Sequence, residues 1–152
     1  MLFRSRCEIV AVINGVTYIN DSKATNVDAV AKALRAIPAP VILIAGGRDK
    51  GLDYAALRDE LPRRVKLAVL IGETRAAMAR AWQNAVPCVT ADSLDEAVAI
   101  AARQAGRGDT VLLSPACASF DMFRNYEHRG EEFKRAVFVA QSQVATTTNQ
   151  QS

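Results

Sequence analysis

From residue 41 onward the chain alternates largely apolar runs with segments of helical period: VILIAGG, DYAALRDEL, KLAVLIG, TRAAMARAW, PCVTA, SLDEAVAIAARQA and DTVLLS follow one another. A strand without polar alternation has to be covered on both faces, and the helices between such strands supply the cover. Parallel pairing with right-handed crossovers follows. The expected fold is α/β: a doubly wound, Rossmann-like, mostly parallel sheet with helices on both faces.

The N-terminal part is patterned differently. CEIVAVI and VTYI flank Asn14-Gly15, the dipeptide best suited to positive φ at both central positions of a two-residue turn, so the chain is predicted to open with a β-hairpin. Val27, Val30, Ala31, Leu34 and Ile37 then recur at helical spacing until Pro38 and Pro40, which predicts a helix of about three turns. DYAALRDEL reads as an amphipathic helix closed by Pro62, and EEFKRAVFVAQ as the last helix. SQVATTTNQQS has no period, so residues 1–140 are expected to form the domain and 141–152 a polar, frayed tail.

Composition narrows the function. The 152 residues, 50% of them hydrophobic, suit one domain with a full core. The 19 Lys and Arg against 16 Asp and Glu are scattered, giving no basic stripe of the kind nucleic acid requires. No run is long enough to span a membrane, and no signal-peptide core is visible. Cys7, Cys88 and Cys117 match no zinc spacing, so no metal site is expected, and free thiols suit a reducing, cytoplasmic setting.

The polar residues gather after strands. DSKATN follows VTYI, GGRDKG follows VILIA, and SPACASFD follows TVLL. Open α/β sheets bind ligands beyond the carboxyl ends of their strands, so these loops should meet on one edge. Lys23 and Lys50 offer positive charge, Thr25, Ser114 and Ser119 offer hydroxyls, and nearby helix starts offer backbone N–H groups. The expectation is an anion-binding cleft.

Plain structural explanations compete with it. Thr25 with Asp28 fits a capping box, Gly46-Gly47 a tight turn, and Ser119 the cap of a short helix near Phe120. GGRDKG is neither G-x-G-x-x-G nor a P-loop. Cys117 and the single histidine, His128, lack the third partner of a nucleophilic triad. His128 sits among Arg124, Glu127 and Arg129, as on a solvated helix face, and Phe123, Tyr126 and Phe133 fit a core. No catalytic residue is therefore expected: the chain is equipped to hold an anion rather than to break a bond.

INDSKATN, LIAGGRDKG and LLSPACASFDMFRNYEHRGEEF, in this order, resemble the C-terminal domain of the D-glutamate-adding Mur ligases of peptidoglycan synthesis. The resemblance runs from about Arg6 to the last helix. It implies a cytoplasmic enzyme of three domains, in which an N-terminal domain holds UDP-N-acetylmuramoyl-L-alanine and a central domain holds ATP and magnesium, both outside this chain. The implied chemistry activates the acceptor carboxylate as an acyl phosphate, which the amine of D-glutamate attacks to give an amide. Carried residue by residue, Lys50 and Thr25 would meet the side-chain carboxylate of D-glutamate, Ser119 and the Phe120 N–H its α-carboxylate, and Tyr126 would line the same pocket. Arg6, Asp21 and Lys23 would face the nucleotide. The isolated domain would be inactive. Two other classes share parts of this pattern: a free-standing anion- or nucleotide-binding Rossmann-like module, and a small Cys- or Ser-dependent hydrolase.

Overall fold

The structure, a computed structural model, describes residues 7–49, 51–119 and 122–151, without the side chains of 143–151. One sheet of six strands has the order β1-β2-β6-β3-β4-β5. Its strands are β1 (Glu8–Ile13), β2 (Val16–Asn20), β3 (Val41–Gly46), β4 (Val65–Ile71), β5 (Cys88–Thr90) and β6 (Thr110–Leu113). The β1–β2 pair is antiparallel and every other pairing is parallel. Asn14 and Gly15 both have positive φ, 55° and 79°, as the two-residue hairpin turn demands.

Residue parity in the strands assigns the two faces. Val41, Leu43 and Ala45 of β3 join Ala68 and Leu70 of β4 in a cluster covered by helix α1 (Val27–Ala36), through Val30 and Leu34, and by helix α3 (Arg75–Ala81), through Met78. Ile42, Ile44, Val69, Ile71, Val111 and Leu113 point the other way, against Leu94, Ala97, Val98 and Ala101 of helix α4 (Leu94–Gln104) and Phe133 and Val137 of helix α5 (Tyr126–Gln151). Every residue of β3 is buried, which is why VILIAG shows no polar alternation. The sheet is doubly wound, as its sequence pattern predicts.

Two elements depart from expectation. DYAALRDEL does not form one helix: Tyr54–Leu57 make a 3-10 turn, and a separate short helix, α2 (Leu61–Arg64), follows. Pro62 stands in the first turn of α2, where its missing N–H costs nothing, so it opens a helix rather than closing one. The Trp82 indole N–H donates to the Tyr54 carbonyl at 2.7 Å, which pins the 3-10 turn to the end of α3. Helix α5 also starts at Tyr126, earlier than the apolar pattern shows, and its backbone stays helical to Gln151. Among the residues whose side chains are described, Ala140 is its last buried one, and Gln141 and Ser142 are exposed.

This winding fixes a switch point. From β3 the chain runs toward β4 at one side of the sheet, whereas from β6 it passes into α5, which lies over β1 and β2 at the other. The adjacent carboxyl ends of β3 and β6 therefore form a switch point, the place where open α/β sheets carry their ligand sites.

Candidate functional site

Three loops meet at that switch point through their backbones. Past the end of β2, the Asp21 N–H donates to the Leu113 carbonyl at 2.8 Å, and the Ser114 hydroxyl donates to Asp21 Oδ2 at 2.9 Å. The Ala116 N–H reaches the Ala24 carbonyl at 2.9 Å, so DSKATN and SPACAS are tied together. At the end of β3, the Gly46 N–H donates to the Pro115 carbonyl and the Arg48 N–H to the Ala118 carbonyl, each at 2.9 Å, which joins GGRDKG to the same loop. Gly47 is required at this junction. Its φ is +156°, and a Cβ there would stand 2.5 Å from the Ala118 carbonyl oxygen.

A buried arginine holds the assembly from α5. Arg129, 1% exposed, donates from Nε to Ser22 Oγ at 2.9 Å, from Nη2 to the Ser22 carbonyl at 2.7 Å, and from Nη1 to the Cys117 carbonyl at 3.0 Å. The Ser22 hydroxyl in turn donates to the Tyr126 carbonyl at 2.7 Å. Bonds to a charged donor are worth about 1.5–3 kcal/mol each, so this side chain braces two loops against a helix. Sequence reasoning missed it, because Arg129 stands among charged neighbours that read as a solvated face. The available signal was Gly130: a Cβ there would come 2.8 Å from Asn20 Nδ2, so the Arg-Gly pair marks where α5 presses on β2.

Beside this brace lies a groove of about 400 Å³, with Lys23, Asn20, Ser22, Tyr126, Glu8 and Lys134 in its lining. Its wall carries the Lys134–Glu8 ion pair at 2.9 Å. The Lys134 ammonium, hydrogen-bonded to Glu8, holds that carboxyl below the usual range.

The amino-acid sequence decides the family. Residues 5–117 match the family model of the Mur ligase glutamate ligase domain. The chain belongs to this Mur ligase family. It is 55% identical over 132 residues to the UDP-N-acetylmuramoylalanine--D-glutamate ligase of Chlorobium chlorochromatii, covering 87% of this chain and 28% of that relative. The chain thus spans under a third of the length of such relatives. The murein peptide ligase of Psychrobacter arcticus shares the fold at 13% identity, with a TM-score of 0.64 over 91% of this chain and 30% of that one. So does the MurF ligase of Thermotoga maritima, solved with ADP, at 14% identity and a TM-score of 0.55 over 85% and 29%.

Within this Mur ligase domain the described site residues fall as follows. Asp21 and Ser119 are buried at the loop junction, Thr25 is half-buried and Lys23 exposed. Tyr126 and Lys23 line one groove, although the resemblance sends them to different substrates. Arg6, Lys50 and Phe120 lie outside the described residues. Thr25 does not cap α1: Asn26 does, its side chain accepting from the Ala29 N–H at 2.9 Å. The Ser119 carbonyl accepts from the Met122 and Phe123 N–H groups at 3.1 and 2.8 Å, and the start of the short helix expected near Phe120 lies outside the described residues.

The residues that suggested a hydrolase are engaged structurally. The Cys117 thiol is buried against Thr74 Oγ1 at 3.4 Å and Tyr54 Oη at 3.7 Å. His128 accepts the Arg124 N–H on Nδ1 at 3.1 Å and meets the Phe123 ring edge-on. Among the described residues no group of three or more His, Cys, Asp or Glu converges as a metal site would require, and no helix is long and apolar enough to cross a membrane.

Proposed function

We propose that this chain is the amino-acid-binding part of a longer cytoplasmic ligase that joins D-glutamate to UDP-N-acetylmuramoyl-L-alanine. The observation that carries the reading is the junction itself: the three polar loops that end β2, β3 and β6 are hydrogen-bonded to one another at the switch point of the sheet. A dicarboxylate with a free amine fits this setting. Lys50 and Thr25 hold its side-chain carboxylate, Ser119 and the Phe120 N–H hold its α-carboxylate, and Tyr126 closes the pocket.

Amide formation through an activated carboxylate needs the amine placed and its charges neutralised more than it needs a protein nucleophile. ATP, when bound, supplies the phosphoryl group that activates the acceptor. Lys23, exposed in the groove beside Tyr126, fits a polyphosphate, and we assign Arg6 and Asp21 to the nucleotide with it. We place the magnesium ligands in a central domain and the UDP-sugar on an N-terminal one.

The test is phosphate release with D-glutamate, ATP and UDP-N-acetylmuramoyl-L-alanine together. The full-length ligase is expected to turn over only when D-glutamate is present, and the isolated chain not at all. D-glutamate-dependent turnover by the isolated chain would contradict the reading, as would a full-length protein that ignores D-glutamate.

A further inference from the structure

Thr74 occupies the N-cap position of α3, yet its side chain makes no capping hydrogen bond. A threonine there ordinarily satisfies its own helix, and forgoing the cap costs about 1 kcal/mol. Here the hydroxyl oxygen is used elsewhere: it accepts the Gly47 N–H at 3.1 Å, while the Thr74 N–H donates to the Gly47 carbonyl at 3.1 Å. The same Oγ1 lies 3.4 Å from Cys117 Sγ. Thr74 is 1% exposed, and Cys117 is fully buried. One side chain from the end of β4 therefore grips both the GGRDKG loop and the SPACAS loop.

A second link runs parallel to it. The Cys117 thiol faces Tyr54 Oη, which donates to Asp49 Oδ1 at 3.4 Å, and that same oxygen accepts the Gly51 N–H at 2.8 Å. Glu73 accepts the Asp49 N–H at 2.9 Å. The residues on either side of Lys50 are thus fixed to Glu73 and Tyr54, and through Cys117 to the loop that carries Ser119.

We propose that Thr74 is a positioning residue for substrate length: by clamping Gly47 and Cys117 together, it sets the separation between the two carboxylate-binding loops and so selects a dicarboxylate of glutamate's length. The inference rests on the reading above, in which GGRDKG holds the side-chain carboxylate and SPACAS the α-carboxylate. A misplacement of even 1 Å at such an anchor can cost about a hundred-fold in rate, so a substrate held at both ends is sensitive to the spacing of its anchors.

The test uses the full-length ligase with Thr74→Val, Thr74→Ser and Cys117→Ala, with Lys50→Ala alongside. The readouts are kcat/KM for D-glutamate and for its shorter homologue D-aspartate, the KM for ATP, and the melting temperature. Thr74→Val is expected to lower kcat/KM for D-glutamate roughly ten-fold, mainly through KM, and to shrink its preference over D-aspartate, with the KM for ATP held within about two-fold. Thr74→Ser should restore both. Cys117→Ala, which leaves Gly47 held, should shift the preference in the same direction, and it decides the matter if Thr74→Val does not fold. An unchanged preference in Thr74→Val and Cys117→Ala, with Lys50→Ala raising the KM for D-glutamate, would overturn the proposal and leave the site reading standing. If Lys50→Ala leaves D-glutamate kinetics intact, the site reading fails and the proposal with it.

Discussion

Arg129 reaches Ser22 twice, through Nε to the hydroxyl at 2.9 Å and through Nη2 to the carbonyl at 2.7 Å, so residues 107 apart in sequence share one buried contact. The third guanidinium nitrogen holds the Cys117 carbonyl. A planar fork meets three acceptors that an ammonium on a lysine stem does not reach together. Arg129→Lys should therefore lower the melting temperature by at least about 5 °C, through loss of some 2–4 kcal/mol, and raise the KM for both D-glutamate and ATP. Thermal unfolding and steady-state kinetics of the same preparation check this.

Gly47 is fixed by geometry on two counts, a φ of +156° and the Ala118 carbonyl oxygen 2.5 Å from any Cβ. Since the obstructing atom is backbone, relief would require the two loops to separate. Gly47→Ala is expected to cost about 2–4 kcal/mol, read from denaturant melts as a lower midpoint at unchanged slope.

Asp109 links the turn before β6 to the start of β4, accepting the Gly106 N–H at 2.7 Å and pairing with Lys66. Burial pushes its carboxyl up, but the Gly106 bond and Lys66 outweigh that and hold it below the usual aspartate range. With the folded pKa depressed, the contribution is fully present above about pH 4 and is lost as pH falls through the folded value. Lys66 is 40% exposed, so the ion pair is screened. Asp109→Asn should lower the melting temperature by about 1–4 °C at pH 7, with the gap from wild type narrowing below pH 4. A gap that widens in acid would contradict the assignment.

Much of the architecture was legible because parallel strands leave a strong trace. VILIAG is apolar throughout and KLAVLI after its lysine, since both faces are covered, and Asn14-Gly15 names its own turn. The convergence of DSKATN, GGRDKG and SPACAS followed from the rule that strand ends carry the chemistry. Local choices between similar residues were not legible. Thr25 and Asn26 are both good N-caps, and only the backbone at residue 26, extended with φ of −145°, shows which one serves. Pro62 stops a helix or starts one with equal ease. Arg129 and Thr74 escaped because their sequence surroundings suggest a solvated face and a helix cap, whereas tertiary contacts bury both.

The most direct measurement is the steady-state kinetics of Lys50→Ala in the full-length ligase. A charge-assisted contact to the side-chain carboxylate is worth about 1.5–3 kcal/mol, so kcat/KM for D-glutamate should fall roughly ten-fold to over a hundred-fold. The KM for ATP and the melting temperature should stay near those of the wild type. Intact D-glutamate kinetics, or equal losses for D-glutamate and ATP together with a lower melting temperature, would contradict the placement of D-glutamate in this cleft.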